Sequence, residues 1–221
     1  MVRTGDRPDG QAVGCRVAPE APSPSAVARA ALILRLGGLV AFPTDTLYAL
    51  GADASNRLAV KRVFAVKGRN LRSPIPLLVA DLTMATQLVG ELPEAGIRLA
   101  ERYWPGPLTL VVPAPRSICT LLTAGTGRIG LRVPDAAVAL AVIRQFGGPV
   151  TGTSANRSGA RDPLDAYEVL RQLEDRVDFI LDGGPVAAGR PSTVVDVTTS
   201  PPVIVRPGPV EQRDIFDLLG F

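Results

Sequence analysis

A chain of 221 residues that is 46% hydrophobic and 20% charged is globular and of a length for one domain, and its formal net charge of +3 is too small to argue for nucleic acid on that ground alone. It contains no histidine, which excludes Ser-His-Asp and Cys-His catalysis, His-ligated zinc and any imidazole proton shuttle. Cys15 and Cys119 have no C-x-x-C spacing and read as free thiols of a reducing compartment; with no signal-peptide core and no apolar run of transmembrane length, a soluble cytoplasmic protein without a membrane partner is the expectation.

Residues 1–24, rich in Pro, Gly, Asp and Arg without periodicity, are expected to form a disordered or loosely attached tail, and residues 25–221 a single domain. Ser25 is placed to cap a helix over 26–36 that Gly37 stops. An apolar strand over 39–42 then meets Pro43, which has no N–H to give and ends the ladder. Thr44, Asp45 and Thr46 follow at the strand's carboxyl end, the edge where open α/β sheets bind ligands; the alternative for these residues is an ordinary turn. Asn56 fits the cap of a helix over 57–66. Lys67 falls seven, four and three residues after Val60, Val63 and Phe64, so it extends the buried face, and this cation is expected to line a cleft. The alternative for Lys67-Gly68-Arg69 is an exposed triplet. Lys61 and Lys67 are the only lysines among 24 cations, so most anion contacts here are guanidinium contacts.

A strand over 77–79, helices over 82–89 and 93–103, a turn at Trp104-Pro105-Gly106-Pro107 and a strand over 108–112 come next. Residues 125–130 match G-x-G-x-x-G but precede a strand over 129–133, whereas a dinucleotide fingerprint follows a strand and opens a helix, so a loop is expected. Arg132 lies between Leu131 and Val133. Strand alternation turns it to the opposite face, either solvated or a polar site. A helix over 136–146 ends at Gly147-Gly148, and a strand over 149–153 enters a loop in which Thr153, Ser154 and Asn156 offer two hydroxyls and an amide, for a ligand or for an Asx turn. Asp165 caps a helix over 166–173. Strands over 179–181, 193–197 and 203–206 and a helix near 211–219 complete the chain. Arg206 shares the two readings of Arg132, and Ser192, at the amino end of its strand, reads from pattern alone as structural. Consecutive strands interleave with β-α-β units, so the expected fold class is α/β, one domain with a mixed, twisted sheet flanked by helices. No Cys or acidic cluster has the spacing of a metal site.

Seven motifs stand in a telling order: Pro-Thr-Asp-Thr-Leu-Tyr-Ala-Leu-Gly (43–51), Lys67-Gly-Arg69, Trp-Pro-Gly-Pro-Leu-Thr (104–109), Leu-Arg-Val-Pro (131–134), Thr-Ser-Ala-Asn-Arg-Ser-Gly (153–159), Leu-Asp-Gly-Gly (181–184) and Ser-Thr-Val-Val-Asp (192–196). Each is weak alone; together, over roughly residues 25–208, they resemble the YrdC family, the threonylcarbamoyl-AMP synthases, in its short form without a second C-terminal domain. The resemblance implies an open cleft and a nucleotidyltransferase that makes threonylcarbamoyl-AMP and pyrophosphate from L-threonine, bicarbonate and ATP with Mg2+, for a downstream tRNA threonylcarbamoyltransferase acting at adenosine 37. Carried over, Lys67, Arg69, Ser154 and Asn156 surround phosphates and carbamate; Arg69, Ser73, Ser154 and Arg206 bind ATP; Thr46, Arg132 and Ser192 bind threonine. For Ser192 the family pattern takes priority over the strand-end reading. Ala49 stands where the family usually has Gly, and Ser73 where many members have Asn. Two alternatives remain: the YrdC-like domain of hydrogenase-maturation carbamoyltransferases, whose acylphosphatase and zinc-binding Cys motifs are missing here, and an RNA-binding or ribosome-assembly factor, for which stacking aromatics are lacking.

Overall fold

In the computed structural model, which describes residues 13–187 and 189–221, the first element is a strand. β1 (Val13–Arg16) runs parallel to a strand from late in the chain, its Gly14 opposite Ile180 and its Arg16 opposite Asp182. The expectation of a loose tail is corrected for residues 13–16, which pair into a sheet, and for Ser23 and Pro24, which belong to the next helix; residues 1–12 lie outside the described residues. A four-residue strand carries too little periodicity to be read from sequence, and it is defined by the sheet it joins.

The next helix, α1 (Pro24–Arg35), begins two residues earlier than expected. Its cap is Ser23, whose side chain accepts from Ala26 N, and Pro24 fills the first turn, where a missing N–H leaves nothing unpaired. Strands β2 (Val40–Pro43) and β3 (Tyr48–Gly51) form an antiparallel hairpin in which Pro43 stands opposite Tyr48. The second strand of this hairpin is absent from the sequence reading. It is buried at every position and so shows no alternation. In α2 (Arg57–Lys67) Asn56 accepts from Leu58 N and Ala59 N, and Gly68 closes the helix at φ 60° in the left-handed region.

β4 (Leu77–Leu78), α3 (Leu82–Val89), α4 (Glu94–Tyr103), β5 (Leu108–Pro113), β6 (Arg128–Arg132) and α6 (Ala137–Phe146) follow the expected order, with one unexpected short helix, α5 (Thr120–Thr123), between β5 and β6. The strand expected over 149–153 is two strands, β7 (Val150–Thr151) and β8 (Thr153–Ser154), in different sheets. α7 (Ala166–Leu173), capped by Asp165 onto Glu168 N, precedes β9 (Phe179–Asp182), β10 (Thr193–Asp196), β11 (Val203–Arg206) and α8 (Gln212–Leu219).

The mixed α/β architecture is as expected, with its strands divided between two sheets. One has the order β1-β9-β2-β3-β8 and the other β11-β10-β5-β6-β4-β7. Both contain parallel and antiparallel pairs. α1 and α6 pack together over the first sheet, with Leu34, Phe42, Val142 and Phe179 in a common apolar cluster; Leu99, Leu110, Leu131 and Ile215 belong to a second, larger one. The chain crosses from sheet to sheet at Gly152. A Cβ there would stand 2.8 Å from Leu78 Cγ, so the crossing is tight enough to require glycine.

Candidate active site

A cleft of about 170 Å3 is lined by residues of both sheets. The first sheet contributes the β2–β3 turn and β8, and the second contributes the ends of β4, β5, β6, β10 and β11. Antiparallel pairing is what gathers these ends. β6 runs against β5 and β11 against β10, so the carboxyl-terminal residues Arg132 and Arg206 arrive beside the amino-terminal residues Thr109 and Ser192.

The β2–β3 turn is both of its sequence readings at once. Thr44 N donates to Leu47 O at 3.0 Å, which closes the hairpin. Thr44 Oγ1 donates to Leu47 O at 2.7 Å and accepts from Leu47 N, which leaves Thr46 turned into the cleft and 3.0 Å from Thr44 Oγ1. Arg132 meets it there, donating from Nη1 to Thr46 Oγ1 at 2.8 Å and from Nε to Gly106 O at 3.0 Å, while Nη2 donates to Asp45 Oδ1. The side chain is only 7% exposed, so the polar-site reading of Arg132 is the one the fold realises. Burial lowers its pKa and Asp45 opposes that shift. Three of its five donors are engaged, which leaves one N–H on each terminal nitrogen.

At the other end of the cleft stand Arg69 and Arg206. Arg69 donates to Ser73 O at 3.2 Å and Pro74 O at 2.8 Å; Arg206 donates to Ser192 O at 3.1 and 2.8 Å and to Ser192 Oγ at 3.2 Å. Burial lowers both guanidinium pKa values, and for Arg69 the neighbouring Arg206 adds to the shift. Ser192 Oγ is also 2.8 Å from Thr109 Oγ1, so this residue at a strand's amino end joins the two ends of the cleft.

Lys67, only 2% exposed, lies behind the lining. Its Nζ donates to Ser154 O, to Asn156 O at 2.8 Å and to Asn156 Oδ1 at 2.9 Å, which occupies all three ammonium protons. Ser154 Oγ donates to the same Oδ1 at 2.7 Å, and Asn156 Nδ2 donates to Ala160 O at 2.8 Å. Burial pushes Lys67 down to about 7, with the Arg69 charge adding to the effect. Of the residues expected from sequence, Thr46, Arg69, Arg132, Ser154, Ser192 and Arg206 line the cleft. Lys67 and Asn156 support Ser154 from behind, and Ser73 enters through its carbonyl to Arg69. Sequence reasoning missed Thr109 and Asp162 in the lining, and the pairing of Asp45 with Arg132; no spacing rule connects residues on separate strands.

The fold is a mixed α/β domain whose two sheets share a cleft lined by three arginines, Arg69, Arg132 and Arg206. The chain belongs to the Sua5/YciO/YrdC family, whose model, described as telomere recombination, matches residues 32–208. It is 40% identical to the threonylcarbamoyl-AMP synthase of Bacillus subtilis (strain 168), over 88% of this chain and 56% of that protein. It is 38% identical to a putative threonylcarbamoyl-AMP synthase of Mycobacterium tuberculosis (strain ATCC 25618 / H37Rv), over 85% and 86%. The crystal structure of Pyrococcus abyssi Sua5 complexed with L-threonine superposes with a TM-score of 0.91 at 38% identity, covering 94% of this chain and 61% of that one. The chain thus spans about half the length of the first curated relatives it matches, 56% in both the B. subtilis and the P. abyssi synthase.

Proposed function

We propose that this chain is an L-threonylcarbamoyladenylate synthase, making threonylcarbamoyl-AMP and pyrophosphate from L-threonine, bicarbonate and ATP. The observation that carries the reading is the two-ended cleft, with a buried arginine fork beside Thr46 at one end and Arg69 and Arg206 at the other. The names of the similar proteins and the threonine complex of the P. abyssi structure support it.

In this reading the carboxylate of threonine takes the two remaining N–H groups of Arg132, with Thr46 and Ser192 beside it. Its amine and bicarbonate condense to a carbamate with loss of water. A carbamate oxygen then bonds to the α-phosphorus of ATP as the bond to the pyrophosphate oxygen breaks. Arg69 and Arg206 meet phosphate charge, Ser154 faces the reacting groups, and Lys67 and Asn156 act as positioning residues that hold Ser154. The step needs alignment and cationic stabilisation more than an imidazole, which suits a chain without histidine.

The donor set does not fit a metal held by the protein alone. Asp162 is the one carboxylate of the lining, and no group of three or more His, Cys, Asp or Glu stands together among the described residues. Mg2+ is assigned here only as the companion of the ATP phosphates. The product, a mixed anhydride, calls for a downstream carbamoyl transfer, which the family resemblance assigns to adenosine 37 of tRNA. No helix among the described residues is long and apolar enough to cross a membrane.

Pyrophosphate release is the test. It is expected only when ATP, Mg2+, bicarbonate and L-threonine are present together, and equal release without threonine would overturn the substrate assignment.

A further inference from the structure

Three arginines line the cleft, and they differ in one respect. Among the described residues, the hydrogen bonds of Arg69 and Arg206 reach backbone carbonyls and one hydroxyl, so their charge is uncompensated at contact distance. Arg132 alone is backed by a carboxylate. Asp45 Oδ1 accepts from Arg132 Nη2 and, at 3.0 Å, from Asp135 N. Asp45 Oδ2 is buried without a partner. Asp45 does not line the cleft: it belongs to the wall of the neighbouring cavity, behind the guanidinium.

We infer that Asp45 sorts the two anions of the cleft by charge, cancelling the field of Arg132 so that phosphates settle at the Arg69–Arg206 end and a carboxylate at the Arg132 end. The inference rests on the functional reading above and deepens it. A guanidinium and a carboxylate in contact form a pair with almost no net charge at a distance, while the two unengaged N–H groups keep their direction. A monoanionic carboxylate, recognised by those two donors, still binds there. A polyanion gains little from the neutral pair and is repelled by Asp45 once it approaches. Without the carboxylate, three like cations would share one small cleft and a phosphate group could occupy the threonine end. At the other end Asp162 acts on Arg206 only through space, opposing its burial shift; its carboxylate accepts from Asn156 Nδ2 at 3.3 Å and forms no ion pair with either arginine within 4.0 Å among the described residues, so that pair of cations keeps more of its field than Arg132 does.

The test is calorimetric titration of inorganic pyrophosphate, and separately of L-threonine, into the full chain as wild type, Asp45→Asn and Asp45→Ser. Asparagine keeps the shape and an acceptor for Arg132; serine removes the charge without placing an amide against it. The wild type is expected to bind one pyrophosphate, and saturating pyrophosphate should weaken its threonine binding less than about twofold. Both variants should bind a second pyrophosphate, lost again on adding Arg132→Gln, and pyrophosphate should weaken their threonine binding about tenfold or more, the scale of one uncompensated charge a few ångströms away. A single pyrophosphate in every variant overturns the inference. So does loss of folding in both variants, seen by circular dichroism, because the carboxylate then serves the fold. A wild type that binds pyrophosphate but no threonine tells against the functional reading instead, and the pyrophosphate stoichiometry still decides the role of Asp45.

Discussion

Lys67 is held where two requirements oppose each other. Three oxygen acceptors surround Nζ and favour the ammonium, while burial and Arg69 push its pKa from 10.5 down to about 7. A lysine whose folded pKa lies below its unfolded one binds a proton in the unfolded chain that it lacks in the folded chain, here between about pH 7 and 10.5. Stability therefore rises with pH through that window, and the penalty for burying the charge is present in full below it. Lys67→Met removes the titration. Urea midpoints between pH 6.5 and 9.5 should rise in the wild type relative to this variant, by up to a few kcal/mol in stability, at about 1.4 kcal/mol per pH unit. Parallel profiles would mean that the three acceptors hold the ammonium throughout. That Lys67 is buried was legible from helix phase, because Val60, Val63 and Phe64 fix its face. For Arg132 alternation left two faces open, and only the packing of Gly106 and Thr46 against it selects the polar one.

At the scale of elements, the join between β10 and β11 governs the site. Arg206, Pro207 and Gly208 fold back over Ser192 and Thr193, and a Cβ on Gly208 would stand 2.3 Å from Thr193 N and 2.6 Å from Ser192 C. These are backbone atoms that cannot rotate away. Gly208→Ala is therefore expected to destabilise the protein by about 1–3 kcal/mol. It should also weaken ATP and threonine together, because Ser192 and Arg206 shift as one. Denaturant midpoints and the two KM values measure both effects; an unchanged pair of KM values would show that the site does not depend on this join. The same strands show why Ser192 reads two ways. Its place at a strand's amino end is a local fact, but antiparallel β11 brings Arg206 to that end, and pairing partners are not written in either strand. β3 is illegible in the sequence for a related reason, since a strand buried on both faces has no alternation.

For the whole molecule, the cleft is a seam between two sheets, and ligands that touch both should hold them together. Thr46 and Ser154 come from one sheet, Arg132 and Arg206 from the other. A non-hydrolysable ATP analogue and L-threonine, each at about 100 times its Kd, are expected to stabilise the fold by about 2.7 kcal/mol each, a rise of roughly 5–10 °C in Tm for a chain of this length. Scanning calorimetry checks this, and no shift with either ligand would place the binding sites elsewhere. The amino-acid sequence by itself determined most of the helices and strands and their order, the caps at Asn56 and Asp165, the buried face of Lys67 and the exclusion of imidazole chemistry. These follow from residue identity and short-range spacing, where the chain's own geometry is enough. Only the tertiary structure decided that the strands form two sheets, that residues 13–16 belong to one of them, and that Arg132 reaches Thr46 across 86 residues of chain with Asp45 at its back. Those outcomes depend on which strands pair and in which direction, and pairing energy belongs to two segments at once, so neither segment carries it alone.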